Sequence, residues 1–417
     1  MKFLRVGLGI VVLSVGALRE CATAGELGFP KSCVELQSVQ SETIWNDVYS
    51  SRDSVLFRRD FGARAGSNGD ATSFIVWDTE SGKLLARRQL PSKAALNWQL
   101  SPDGKLLAVP VFGHGKVIQL WEVGTKDSRG VPQLRPLAEL KRPHVSPDEH
   151  PDGFSPRYVG LMAWTPDSKT LIAGYAKAPK SAAIQILFWS FTDKPSVLSD
   201  SPPDEREPKG WKPWAKLEFE TPLTFAVSPD NRTLAVVESW PRHGQGHLFD
   251  PETAEPREKF QMDRIPKDGT QFYMLRFSSD SKTLVIDGGG PRYFSLWNTS
   301  PLTPRADLIR PDFTGILGES HGHAFTSDCR WLLTRNIADS KDVIRRQGGV
   351  VQVRDAQTGD VRHEVSFPEE LGLLCSLSEL QDHRVLLRFQ SRKGHRHFLW
   401  HTDDLLRYAV ENGSPPL

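Results

Sequence analysis

The stretch SPDGKLLAV, at Ser101–Val109, predicts a tight turn that leads into an apolar strand. A proline before the aspartate presets the first turn position, and the aspartate can accept hydrogen bonds from the N–H groups that follow it. The pattern occurs seven times, anchored at Asp53, Asp103, Asp167, Asp230, Asp280, Asp328 and Asp382. In six of the seven copies a Lys or Arg follows two residues after the aspartate and a Leu follows four after it. An internal repeat therefore organises the chain.

A second apolar segment follows each turn and ends near an aromatic or charged pair, as in FIVWDTESG at 74–82 and VQVRDAQTG at 351–359. Five of these segments carry a tryptophan at the same position, which indicates packing between repeats: Trp77, Trp121, Trp189, Trp297 and Trp400. A four-strand unit at this period predicts an all-β, seven-bladed β-propeller of four-stranded antiparallel blades. Blade cores are expected near 43–90, 94–140, 158–219, 222–262, 271–309, 321–367 and 373–402.

The repeats between Thr43 and Thr402 resemble bacterial WD40-like repeats of the S-P-D-G kind, which periplasmic propellers of the Tol-system type also contain. The resemblance implies one propeller over residues 25–417. The chain departs from eukaryotic WD40 repeats because it has one Trp-Asp pair, Trp77-Asp78, and no regular Gly-His pair at the start of each blade. The partner-binding rules of those repeats are therefore not carried over.

The two ends of the repeat region predict how the ring closes. Thr402–Gly413 begins with acidic residues, contains helix formers and ends in glycine, which predicts a short C-terminal helix. The last blade then lacks an outer strand. Val34–Gln40 alternates in polarity and precedes the first blade, so we expect it to supply that strand and close the ring.

The N-terminus is typical of a secretory signal peptide over residues 1–24. Lys2 and Arg5 precede the apolar stretch Val6–Leu18, and Ala22–Ala24 provides small residues for cleavage. We therefore expect an exported protein in the periplasm or outside the cell, with lipid attachment at Cys21 as the alternative. No later stretch is long and apolar enough to span a membrane, so the mature chain is expected to have no integral membrane segment.

Charge and cysteine content narrow the classes of partner. Removing residues 1–24 takes away three basic residues and one acidic residue from totals of 52 and 51, which leaves a nearly neutral chain. A neutral chain argues against nucleic acid as a partner. Cys33, Cys329 and Cys375 form no C-x-x-C motif, and we expect ordinary buried thiols or one disulfide. We expect a monomer without a cofactor.

Four motifs could carry chemistry. Gly318–Gly322 matches G-x-S-x-G around Ser320, but the blades leave no room for the α/β domain that this nucleophile needs. The pairs His321/His323 and His395/His397 could each place two imidazoles on one face of a strand, a spacing that could hold a metal, and His243 and His247 form a third cluster. No carboxylate or cysteine converges on these histidines in the sequence. We interpret these histidines as structural, keep His321 and His323 as weak metal candidates, and expect no enzyme.

The loops between second and third strands and between blades share one face of a propeller, which we call the loop face. Basic residues there in adjacent blades are candidates for binding an acidic partner: Lys341, Arg345, Arg346, Arg392, Lys393 and His395. The opposite face, the turn face, carries insertions at Lys126–Arg135 and Thr192–Trp214. The predicted function is a non-enzymatic platform for an unidentified envelope or secreted protein. The alternative is a small-ligand- or metal-binding propeller, including an enzyme that uses the central channel.

Overall fold

In the computed structural model, the described residues are 27–38, 47–50, 55–60, 73–89, 98–111, 117–141, 161–176, 184–191, 213–220, 223–238, 245–262, 272–288, 293–307, 322–336, 350–380, 382–391 and 394–413. The predicted signal peptide, including Cys21, lies outside them. Among the described residues, no helix has the length and apolar character that a membrane crossing requires.

The described residues form seven four-stranded antiparallel sheets. The first strand in the chain, β1 (Val34–Glu35), belongs to the seventh sheet, and the other strands follow blade by blade. The first blade contains β2 (Asp47–Ser50), β3 (Val55–Asp60), β4 (Ser73–Asp78) and β5 (Leu84–Gln89). The second contains β6 (Gln99–Leu100), β7 (Leu106–Val111), β8 (Val117–Lys126) and β9 (Pro132–Lys141). The third contains β10 (Met162–Trp164), β11 (Thr170–Ala176), β12 (Ile184–Ser190) and β13 (Ala215–Phe219).

The fourth blade contains β14 (Leu223–Val227), β15 (Leu234–Glu238), β16 (Gln245–Phe249) and β17 (Pro256–Gln261). The fifth contains β18 (Phe272–Phe277), β19 (Thr283–Gly288), β20 (Tyr293–Thr299) and β21 (Leu302–Asp307). The sixth contains β22 (His323–Phe325), β23 (Trp331–Asn336), β24 (Val350–Asp355) and β25 (Val361–Ser366). The seventh contains β26 (Leu373–Glu379), β27 (Arg384–Ser391) and β28 (Gly394–His401), followed by helix α1 (Thr402–Asn412).

The sheets are arranged as the blades of a ring. Within each of the first six blades the chain runs from strand to neighbouring strand in sequence order, and in the seventh blade β26, β27 and β28 do the same. The first strands of neighbouring blades contact one another, as β6 does with β2 and β10, and β14 with β10 and β18. First strands therefore lie at the centre and fourth strands at the periphery. The prediction of a seven-bladed propeller with a C-terminal helix is confirmed.

The apolar core lies mainly between blades. The five recurring tryptophans are buried, and Trp189 packs with Trp164, Leu120 and Ile118 across the boundary between the second and third blades. Burying side chains of this size supplies much of the stability of a fold, because the free energy scales with the apolar area removed from water. The prediction that these tryptophans pack between repeats is confirmed.

The repeated turns of the second to sixth blades are held by their own polar side chains. The Ser101 hydroxyl donates to Asp103 Oδ1 at 2.7 Å, and the Lys105 N–H donates to the same oxygen at 3.1 Å. Burial raises the pKa of Asp103, but these hydrogen bonds and the Lys105 cation outweigh it and lower the pKa below its usual value. The Leu106 N–H in turn donates to Ser101 Oγ at 2.9 Å. These bonds explain why the S-x-D pattern recurs.

The residue after the turn aspartate adopts a left-handed conformation. Gly104 has φ +72°, but Ser168 and Ser281 stand at the same turn position with φ +63° and +61°. A non-glycine residue is disfavoured there. Ser168 Oγ accepts a hydrogen bond from the Asp103 N–H of the preceding blade at 2.9 Å, and Ser281 Oγ accepts one from Asp230 at 3.0 Å. The serines therefore connect neighbouring blades along the turn face.

The N-terminal segment closes the ring, as predicted. β1 pairs antiparallel with β28, with Val34 opposite Leu399, so it forms the outer strand of the seventh blade. The strand is shorter than the predicted Val34–Gln40, because the next residues turn to the first blade. There the Gln37 carbonyl accepts a hydrogen bond from Trp77 Nε1 at 2.9 Å, and Gln37 Oε1 accepts the Leu84 N–H at 3.1 Å. We call residues 29–37 the N-terminal latch.

Two further contacts fix the latch. Glu35 forms a two-pronged ion pair with Arg396 of β28, at 2.7 and 2.8 Å. Phe29 inserts among rings from the sixth blade, the seventh blade and α1, with ring centres 5.1 Å from Trp400 and 5.7 Å from Tyr408. Helix α1 contacts β25 and β28 and buries Leu405 and Ala409 in the same cluster. The latch thus joins the first, sixth and seventh blades, and α1 packs against the sixth and seventh.

Candidate functional site

The predicted basic surface of the loop face is anchored by the strands on either side of it. β23 ends at Asn336 and β24 begins at Val350, whereas β27 ends at Ser391 and β28 begins at Gly394. Both connections join a second to a third strand, so they leave the ring on the same face in adjacent blades. Lys341, Arg345, Arg346, Arg392 and Lys393 lie outside the described residues. Their role as a binding surface stays a prediction.

His395 is the member of that group that the structure describes. It is half-buried on β28, opposite Gln390, and its ring centre lies 6.4 Å from that of His397. His397 is buried. The two rings therefore do lie near each other, as the alternation predicts, at the end of the strand that the loop 392–393 enters.

The G-x-S-x-G motif has a packing explanation at its last position. Ser320 and His321 lie outside the described residues. Gly322 is described, and a Cβ atom at this position would lie 1.6 Å from the carbonyl oxygen of Leu377 in the seventh blade. Glycine is thus required because two inner strands approach closely, which is a structural reason for this part of the motif.

His323 lies inside the ring rather than at an open site. Its side chain is buried, and burial, followed by the nearby Arg276 cation, lowers its pKa well below the usual value. Burial therefore favours the neutral form of the imidazole. Across the described ranges, no group of three or more His, Cys, Asp or Glu side chains has an arrangement that could hold a metal ion. His321, its candidate partner, falls outside those ranges.

An ion pair joins the inner strands of the fifth and seventh blades. Arg276 Nη1 of β18 lies 2.9 Å from Glu379 Oε2 of β26, and the Phe325 N–H of β22 donates to the same oxygen at 3.4 Å. Burial raises the pKa of Glu379, and Arg276 and the Phe325 N–H only partly oppose this rise. We call this the inner ion pair. It ties three consecutive blades together next to their turns.

A pocket of about 420 Å³ lies between the third and fourth blades. Its walls come from β13 and from the two outer strands of the fourth blade, with the end of β15 at its base. In the pocket, His247 Nε2 lies 2.9 Å from Glu238 Oε1, and the two side chains are only 11% and 3% exposed. We call this cavity the blade 3–4 pocket.

Aromatic rings surround this pair. The ring of Phe219 lies 5.5 Å from His247 in an edge-on arrangement and 6.1 Å from Phe249, and the rings of His247 and Phe249 are stacked at 6.1 Å. Strand alternation explains the grouping, because His247 and Phe249 are two residues apart on β16 and share a face. The pocket therefore combines an apolar wall with a buried carboxylate.

The pocket corrects one sequence-based expectation. We expected no carboxylate near His247, but the structure places Glu238 against it. The signal was present in the sequence: Leu234, Val236 and Glu238 alternate on one face of a buried strand, so the glutamate had to enter the interior. His243, the expected partner of His247, lies outside the described residues.

The remaining candidates have structural roles. Cys33, Cys329 and Cys375 are free thiols, so of the two expected alternatives the structure shows thiols rather than a disulfide among these three. Cys33 and Cys375 are buried as expected, whereas Cys329 is partly exposed. The insertion at Lys126–Arg135 extends the β8–β9 hairpin around a turn at Asp127. Trp214, at the end of the second insertion, is 41% exposed and lies 5.3 Å from Phe188. Trp211 is outside the described part of the chain.

No protein-family model matches the chain, and no curated protein matches it at a significant level. The fold assignment therefore rests on the repeats and the structure.

Proposed function

We propose that the chain is an exported, non-enzymatic propeller that binds an envelope or secreted protein on its loop face. The observation that carries the proposal is the closed ring, whose turn face is held by hydrogen bonds such as Asp103 to Ser168 and Asp230 to Ser281. A rigid scaffold of this kind positions loops for binding. Propellers commonly serve as protein-interaction platforms. Under this proposal the chain belongs with the bacterial WD40-like propellers of the S-P-D-G kind, and the repeated turn supports that assignment.

The charge of the two loops in the sixth and seventh blades supports an acidic partner. The segment 337–349 contains Lys341, Arg345 and Arg346, and Arg392 and Lys393 form the neighbouring loop. Asp339 and Asp342 offset part of this charge. A cluster of cations on one face increases the rate of association with an acidic surface and favours one orientation of the complex.

Cross-linking of the mature chain, Gly25–Leu417, to proteins of an envelope extract tests the proposal. We expect one dominant protein whose lysine cross-links, read by mass spectrometry, converge on Lys341 and Lys393 of the loop face. Cross-links confined to turn-face lysines such as Lys105 and Lys282, or the absence of a dominant protein, would contradict it.

Small-ligand binding is the second candidate, and the blade 3–4 pocket is the observation that favours it. This pocket lies on the flank of the ring rather than in the central channel, because its walls are outer strands of two blades.

A further inference from the structure

The blade 3–4 pocket has the volume of a site for a small organic group. Its volume of about 420 Å³ lies within the range of about 300–1,000 Å³ that is usual for ligand pockets. Leu217 and Phe219 of β13 and His247 and Phe249 of β16 line it, so much of its surface is apolar or aromatic. Such walls favour a ligand with a hydrocarbon or aromatic portion.

The charges on the described residues that line the pocket favour a cation. Glu238 stands at its base, and Glu218, Glu220 and Glu258 also line it, whereas the lining lysine among the described residues is Lys259. Lys216 forms an ion pair with Glu218 at 3.1 Å and offsets part of the acidic charge at the rim. A low-dielectric wall strengthens the attraction between a buried carboxylate and an entering cation.

The rings and the His247 contact add to this preference. A cation within about 6 Å of an aromatic face is attracted by the ring quadrupole, and Phe219 and Phe249 provide such faces. His247, bonded to Glu238 Oε1, holds the carboxylate in place. An anion would meet the excess of carboxylates, and a metal ion would lack a three-residue ligand set among the described residues.

We propose that the blade 3–4 pocket binds an organic ammonium group, on a small amine or on a lysine side chain of a partner. Glu238 is the charged contact, Phe219 and Phe249 hold the attached carbon portion, and His247 is a positioning residue. The proposal is independent of the loop-face interaction, because the two surfaces belong to different blades.

Calorimetric titration of the mature chain tests this assignment with three organic probes and with calcium chloride. Benzylammonium represents a small amine, Nα-acetyl-lysine-N-methylamide represents a lysine side chain, and benzyl alcohol is the neutral control. We expect at least one ammonium probe to bind and benzyl alcohol to bind at least tenfold more weakly. The tighter of the two ammonium probes identifies the source of the group. The proposal would be overturned if neither ammonium probe bound, or if benzyl alcohol bound as tightly as the ammonium probes. It would also be overturned if calcium were the only titrant that bound.

Three variants locate the binding. Glu238→Gln keeps the shape and removes the charge, and it should weaken ammonium binding at least tenfold. Glu255→Gln is the matched control, an exposed glutamate of the same blade outside the pocket lining, and should leave binding unchanged. Lys259→Gln, at an exposed position, removes a repelling charge and should tighten binding severalfold. Unchanged ammonium binding in both Glu238→Gln and Lys259→Gln would overturn the assignment. If Glu238→Gln does not fold, the variant at the exposed Lys259 alone decides, and unchanged binding in it overturns the assignment.

Discussion

Replacing Phe29 with alanine is expected to lower the free energy of unfolding by about 3–5 kcal/mol, the usual cost of removing a buried phenylalanine ring. Phe29 is 6% exposed and contacts Phe367, Phe398, Trp400 and Tyr408. Its loss leaves a cavity at the junction of two blades, α1 and the N-terminal latch. Urea denaturation followed by tryptophan fluorescence measures the change.

Val410→Ala is the control for this variant. Val410 is 50% exposed on α1, so its truncation should change the free energy of unfolding by less than about 0.5 kcal/mol. A Phe29→Ala variant as stable as Val410→Ala would show that the latch does not hold the ring closed.

Replacing Arg276 with alanine is expected to cost about 2 kcal/mol of stability at pH 7, because it leaves the Glu379 carboxylate, whose side chain is only 14% exposed, without the cation of the inner ion pair. Arg135→Ala is the matched control. Arg135 pairs with Glu122 at 2.6 Å, but the two side chains are 54% and 44% exposed. An exposed pair of this kind contributes less than about 1 kcal/mol. Urea denaturation of both variants gives the comparison.

The loss of stability in the Arg276→Ala variant should increase with pH. Burial already raises the pKa of Glu379 in the native protein, and removing Arg276 removes a group that lowers it. A carboxyl group with a raised native pKa favours folding below its unfolded pKa, and this contribution is lost as pH rises through the native pKa. The destabilisation should therefore be small near pH 4 and grow toward pH 7.

A double variant gives the second check on the inner ion pair. Arg276→Ala combined with Glu379→Gln removes both charges, so at pH 7 it should be more stable than Arg276→Ala alone. A penalty for Arg276→Ala that does not change with pH, together with no recovery in the double variant, would mean that Glu379 is not held as a buried charge.

The fold could be predicted from the sequence because its signals are local. Ser101, Asp103 and Lys105 form their hydrogen bonds within one turn, so the repeated pattern reports the structure directly. The latch could be predicted because a C-terminal helix left one blade without an outer strand. The inter-blade role of Ser168 and Ser281 was not predicted, although serine at a position where SPDGK has glycine was the available signal.

The candidate sites could be predicted less well, because their residues meet only after the blades pack. Arg276 and Glu379 belong to the fifth and seventh blades, and no periodicity relates them. Glu238 and His247 lie on neighbouring strands, but Phe219 of the third blade is needed to complete the pocket. The loop-face cations follow from sequence and topology alone, and their part in binding is a prediction.

The central claim is tested most directly by measuring how tightly two variants, each with five charge reversals, bind the partner identified by cross-linking. The loop-face variant replaces Lys341, Arg345, Arg346, Arg392 and Lys393 with glutamate. The turn-face variant replaces five exposed residues of the repeated turns with glutamate: Lys105, Lys169, Arg232, Lys282 and Arg330. We predict that the loop-face variant binds the partner at least tenfold more weakly and that the turn-face variant binds like the native chain. Equal affinity of the two variants would contradict a loop-face binding platform.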